Sequence, residues 1–181
     1  PMDEVFTQQF GPQGPMPLRE PLRHEVEEFY RNAKTTNAHA AMGELIAKMT
    51  GKPVAEVDAL KLTVLRRGQA YLLHFINHES PDVDASRPLT IHLDKPVTNL
   101  NGSEAWESFT LDEPDFVTFK AFYAKREEKG EDEAMSWLMA ELSGVNLIAL
   151  KKLPITTYLH AQSYLTAFLR FFPDTDFGKT S

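Results

Sequence analysis

Residues 17–76 and 110–169 of this 181-residue chain are two versions of one sequence. Pro17 falls opposite Thr110, a shift of 93 positions, and the alignment runs without a gap to its end. Sixteen of the 60 paired positions are identical, where average residue usage would give about four by chance. The identities include Leu18/Leu111, Glu20/Glu113, Pro21/Pro114, Phe29/Phe122, Tyr30/Tyr123, Met42/Met135, Leu45/Leu138, Gly51/Gly144, Leu60/Leu153, Gln69/Gln162, Tyr71/Tyr164 and Phe75/Phe168. Such a repeat constrains architecture more than any local signal, because both copies must fold alike. The copies share packing and helix punctuation, with no nucleophile or metal ligand in common, which points away from catalysis.

The repeat predicts two units, each near the minimum size for an independent core. Their expected bounds are 1–80 and 89–172, joined by a linker at 81–88 and followed by a loose tail at 173–181. Composition is that of a globular chain: 42% hydrophobic, 25% charged, with 12 Phe to fill cores. No window approaches the roughly 18 apolar residues of a membrane span, and no signal peptide is visible. The absence of cysteine excludes disulfides and cysteine-ligated zinc and fits a reducing compartment. Pro1 before Met2 reads as the remnant of a cleaved tag. The net charge of −7 sits largely in connectors, since residues 79–108 hold six acidic and two basic side chains. Arg66-Arg67 alone is not the clustered basic face that nucleic acid requires.

The expected fold class is mainly α (α+β), each unit a short β-hairpin followed by a bundle of three to four helices. In the first unit, residues 5–10 alternate weakly before the turn cluster Gly11-Pro12-Gln13-Gly14-Pro15. In the second, residues 89–93 alternate apolar and polar, Asn101-Gly102 is a turn dipeptide, and 106–111 returns as partner strand. Both ribbons end in Leu-X-Glu-Pro, at Leu18-Arg19-Glu20-Pro21 and Leu111-Asp112-Glu113-Pro114. That motif suits a strand-to-helix junction: proline fits a helix's first turn, and a glutamate there meets the positive end of the dipole. Helices are then predicted at 22–34 and 115–128, and at 38–49 and 131–142. Gly51 and Gly144 follow as left-handed C-caps. A short helical turn precedes a last helix at 64–76 and 157–171, with Thr63 and Thr156 as N-caps. Gln69/Gln162 interrupts that helix's apolar stripe in both copies and calls for a hydrogen-bond partner.

Chemistry is sparse. None of the six histidines recurs between copies. His74 and His78 have ligand spacing but lack the carboxylate of a zinc motif, so a surface role is expected. No nucleophile elbow, phosphate loop, dinucleotide fingerprint or calcium loop is present. No catalytic residue, cofactor or metal is therefore expected. What remains is surface. Trp137 stands where the first copy has Glu44, and Phe116 where it has Arg23. Tyr71, Phe75, Tyr164 and Phe168 widen the apolar face of the last helix, which suits a groove for a partner helix. Tyr71, Phe75, Trp137, Tyr164 and Phe168 are the candidate partner-binding residues.

The stretch Leu93-Asp94-Lys95-Pro96-Val97 through Phe109-Thr110-Leu111-Asp112-Glu113-Pro114 resembles the opening of the tail assembly chaperones of tailed bacteriophages. So do Ala134-Met135, Leu142-Ser143-Gly144 and Leu153-Pro154. The resemblance spans nearly all of the second unit and, more loosely, the first; a tandem pair departs from the family's usual single unit. It implies a small protein of the host cytoplasm, absent from the mature virion. Such a protein coats the tape-measure protein, keeps its apolar face from aggregating and hands it to tail-tube subunits. It implies no catalytic residues, nucleic acid or membrane, and leaves homo-oligomerisation open. The other expected class is a phage or prophage adaptor that binds and regulates a host protein.

Overall fold

Gly51 and Gly144 end two helices in the same way, with φ of 71° and 72° and the cap N–H returned to the carbonyls of Ala47 and Ala140. That left-handed conformation is open to glycine at little cost, which is why the sequence marked it. The computed structural model describes residues 18–170, and among these it contains eight helices and one two-stranded sheet. In chain order they are α1 (Arg23–Thr35), α2 (Ala38–Thr50), α3 (Val54–Asp58), α4 (Leu62–Ile76), β1 (Leu89–Thr98), β2 (Ala105–Leu111), α5 (Phe116–Lys129), α6 (Glu131–Ser143), α7 (Leu147–Lys151) and α8 (Ile155–Leu169). The first four helix starts recur 93 residues later in the last four. The ribbon and turn predicted at 5–15, and the tail at 173–181, lie outside the described residues.

Contacts group the described chain into two units. One comprises residues 18–79 with Lys151–Leu159, and the other Ser80–Leu150 with 160–170. In the first unit α1 packs on α2, and α2 on α3. Leu18, Val26, Phe29, Met42, Leu45, Ile46, Leu72 and Ile155 form its core, with Tyr71 and Phe75 packed against it. Asn37 caps α2, its side chain accepting the Ala40 N–H at 2.9 Å.

The start of α1 corrects one expectation. Glu20 and Pro21 precede the helix, and the carboxylate in its first turn is Glu25. That side chain is buried and takes both Arg19 guanidinium nitrogens, at 2.7 and 3.0 Å, plus the Leu22 N–H at 2.8 Å. Burial acts to raise the carboxyl. The bonds from Arg19 and Leu22, with the charges of Arg19 and His24, outweigh it and hold the group below its ordinary value of 4.5. A depressed folded value gives stability that is complete above the unfolded value and lost as pH falls through the folded one. The first unit is thus expected to weaken on acidification below about pH 4.5, and Glu25→Gln to flatten that slope. Urea midpoints at neutral and acid pH measure it; parallel slopes for both proteins would remove Glu25 as the cause.

Two further expectations are corrected. α4 begins at Leu62 with Lys61 as N-cap, and α8 begins at Ile155, so Thr63 and Thr156 lie inside their helices. The Thr156 hydroxyl bonds the Glu20 carboxylate instead. Gln69 and Gln162 are half-buried, so water can reach their amides.

In the second unit β1 and β2 pair antiparallel, with Leu89 opposite Leu111 and Ile91 opposite Phe109. Ile91, Val97, Phe109 and Leu111 are buried, while Thr90 and Thr110 bond each other at 2.9 Å on the exposed face. The register slips between His92 and Val97, and Pro96, which has no N–H to donate, falls inside that irregularity. Gly102 sits at φ 72° in the connecting turn. α5 packs on α6, and α6 on β2, burying Phe122, Leu138 and Met139.

Candidate protein-binding face

α5 carries two kinds of aromatic residue. Its Asp115 N-cap accepts the Thr118 N–H at 2.8 Å, a bond that holds the Asp115 carboxyl below its ordinary value and fixes the helix start. From that start Phe122 points into the core. Phe116, Phe119 and Tyr123 fall at i, i+3 and i+7, a separate face. Phe116 is 69% exposed, its neighbour Val117 70% and Tyr123 37%. The Phe116 and Phe119 rings stack with centroids 6.3 Å apart, and Phe119 and Tyr123 lie 4.9 Å apart.

Cations rim this strip. Lys120 lies 5.0 Å from the Phe116 ring centre, and Arg126 lies 5.5 Å from that of Tyr123. On the adjoining helix, Trp137 holds Lys125 at 5.4 Å. Water-facing aromatic rings are hydrated at a cost that is relieved when a partner covers them, and the neighbouring cations offer charge to acidic groups on that partner. The face therefore suits an apolar helix flanked by carboxylates.

Of the residues singled out from sequence, Tyr71 and Phe75 are half-buried on α4 with rings edge-on at 5.2 Å. Trp137 and Phe168 are also half-buried. Tyr164 is buried, edge-on to Phe168 at 5.1 Å, and its hydroxyl donates to the Arg87 carbonyl at 3.0 Å. Burial, with the charges of Asp112, Glu113 and Asp84, raises that phenol above its ordinary value and keeps it a donor. Gln162 lines a hollow of about 550 Å³ together with Ser80, Asp82 and Arg170. His74 is exposed and packs edge-on against Phe75 at 5.6 Å. Sequence reasoning found Phe116 but missed Phe119 and Tyr123. Their i, i+3, i+7 spacing was legible, yet only the orientation of Phe122 shows that the face points outward.

The described chain is thus mainly helical, with a small hairpin and a cation-rimmed aromatic helix face. Residues 90–170 match the family model described as phage tail assembly chaperone proteins, E, or 41 or 14. The matched segment is a little under half of the chain and contains α5 whole. Neither the curated proteins nor the solved structures gave a significant match. No helix among the described residues is long and apolar enough to cross a membrane.

Proposed function

We propose that this chain is a tail assembly chaperone that binds the tape-measure protein, keeps it soluble in the host cytoplasm and helps recruit tail-tube subunits. The observation that carries this reading is that the family match covers the segment presenting the exposed α5 face. The partner is a long helical protein with apolar faces, and a strip of aromatic rings edged by lysine and arginine suits one turn after another of such a helix. The 93-residue correspondence supports a tandem duplication, with units at 1–80 and 89–172. Two linked units gain avidity for a long partner without any new contact. Tyr71, Phe75, Trp137 and Phe168 are assigned further partner contacts, each on its own unit, with Tyr164 holding Phe168 from beneath.

Co-expression with the tape-measure protein, followed by pull-down and size exclusion, tests the reading. The expected result is a soluble complex where the tape-measure protein alone precipitates. Tyr123→Ala should weaken capture by about thirty-fold, the ~2 kcal/mol scale of an aromatic hot spot, while leaving the melting temperature unchanged. Absence of any complex would sink the chaperone reading and bring forward the adaptor of a host protein.

A further inference from the structure

Two segments of the second unit line the hollow of about 550 Å³, a volume common among binding sites. One is residues 80–83, which have no regular secondary structure and run ahead of β1. The other is the end of α8, where Ser163, Thr166 and Arg170 fall at i, i+3 and i+7 with Gln162 beside them.

The hollow gathers groups that want hydrogen bonds and lack them. Among the described residues, the side chains of Ser80, Asp82, Gln162, Ser163, Thr166 and Arg170 make no hydrogen bond or ion pair. The Ser80 hydroxyl oxygen is buried as well as unpartnered, a state that a ligand group would relieve. Helical serine and threonine hydroxyls often turn back to a carbonyl one turn earlier, and those of Ser163 and Thr166 do not. The main chain of 80–83 likewise forms no hydrogen bond with any described residue.

The helix does not require this lining. Ser163, Thr166 and Arg170 correspond to Ala70, Leu73 and Asn77 in the first copy, while Gln162 keeps its counterpart Gln69. α4 reaches the same 15 residues as α8 without the two hydroxyls or the cation. Residues 80–83 also precede the segment matched to the family, so one wall lies outside what that match covers.

The chemistry of the lining selects its occupant. Hydroxyls and an amide both donate and accept, as does an unpaired main chain, and this set complements the alternating N–H and C=O groups of an extended peptide. Arg170 calls for a carboxylate, and Asp82 for donors. A lone anion would satisfy the first and be repelled by the second. A peptide with an acidic side chain supplies both.

We infer that this hollow binds an extended stretch of a protein partner that carries an acidic side chain. Residues 80–83, Gln162, Ser163 and Thr166 hold its main chain, and Arg170 holds its carboxylate. The inference stands apart from the tape-measure reading, because synthetic peptides make the measurement.

Titration of the full chain with a blocked Ala-Ala-Glu-Ala-Ala peptide, read by amide NMR shifts, tests it. Saturable shifts are expected in residues 80–83 and 162–170 at millimolar peptide or below. The same peptide with glutamine at its centre should bind about tenfold more weakly, the scale of one charge-assisted hydrogen bond. Arg170→Gln should abolish that difference and leave the two peptides equal. Ser163→Ala combined with Thr166→Leu installs the residues of the first copy, and should weaken both peptides about tenfold with the melting temperature held. Glutarate and inorganic phosphate, as probes of a free anion, should shift these amides far less. The proposal is overturned by no saturable shift with the peptide, by a glutamate preference that survives Arg170→Gln, by unchanged affinity in the double variant, or by glutarate binding as tightly as the peptide.

Discussion

Phe122→Ala is expected to lower the stability of the second unit by about 3–5 kcal/mol, the range for removing a buried phenylalanine and leaving its cavity. Phe122 is almost wholly buried on α5, which packs against α6. The neighbouring interior includes Leu138 and Met139, also fully buried, and α6 is tied in turn to β2. A fixed hairpin and helix pair cannot close around the space a lost ring leaves, so little of the cost is recovered. Domains of this size have only about 5–15 kcal/mol in all, so the variant should melt at markedly lower urea. Phe116→Ala is the control. It removes a ring from the same helix that is 69% exposed, and should change stability by less than about 1 kcal/mol. Equal urea midpoints for the two variants would show that α5 is not oriented as described.

Ile155→Asp should have an effect of similar size on the first unit. Ile155 is 1% exposed within that unit's core; its N–H donates to the Pro21 carbonyl, and the Arg23 N–H donates to the Leu153 carbonyl. A carboxylate placed there would stand among the apolar side chains of that core, and burying a charge in such surroundings costs several kcal/mol, or else forces the group to take up a proton. Residues 151–156 are then expected to leave the α1 start. Their release would free the Arg23 and Ile155 amides, so hydrogen exchange at both should accelerate by at least about a hundredfold. Because the penalty belongs to the ionised form, it should shrink as pH falls and the new carboxyl protonates. Unchanged exchange at Arg23 would mean that this docking contributes little to the fold. Leu62→Asp, the same change 93 residues earlier, should be nearly neutral for stability because Leu62 faces water.

That pair of substitutions marks where sequence reading stops. Helix positions were legible from apolar spacing and from Gly51 and Gly144, because a helix end depends on backbone geometry within a few residues. The second hairpin was legible from alternation and from Asn101-Gly102 for the same reason, although its strand runs on to Thr98 past an irregularity. The N-caps were less so. Thr63 and Thr156 have favourable capping chemistry, yet α8 starts at Ile155 and Thr156 turns to Glu20, a residue 136 positions away. A hydroxyl takes the strongest acceptor the fold supplies, and local preference does not know which that will be.

The candidate face divides in the same way. The spacing of Phe116, Phe119 and Tyr123 is written in the sequence, but so is the spacing that includes Phe122, and periodicity alone ranks neither as the buried one. The sequence by itself determined the 93-residue correspondence and the helices, the second hairpin and the glycine C-caps, the last three of which depend on short-range backbone hydrogen bonding and side-chain period. Only the tertiary structure decided that Arg23 and Ile155 are covered while Phe116 and Leu62 are bare. Burial is set by which distant segment arrives at a surface, so two related sequences acquire different exposure at matching positions.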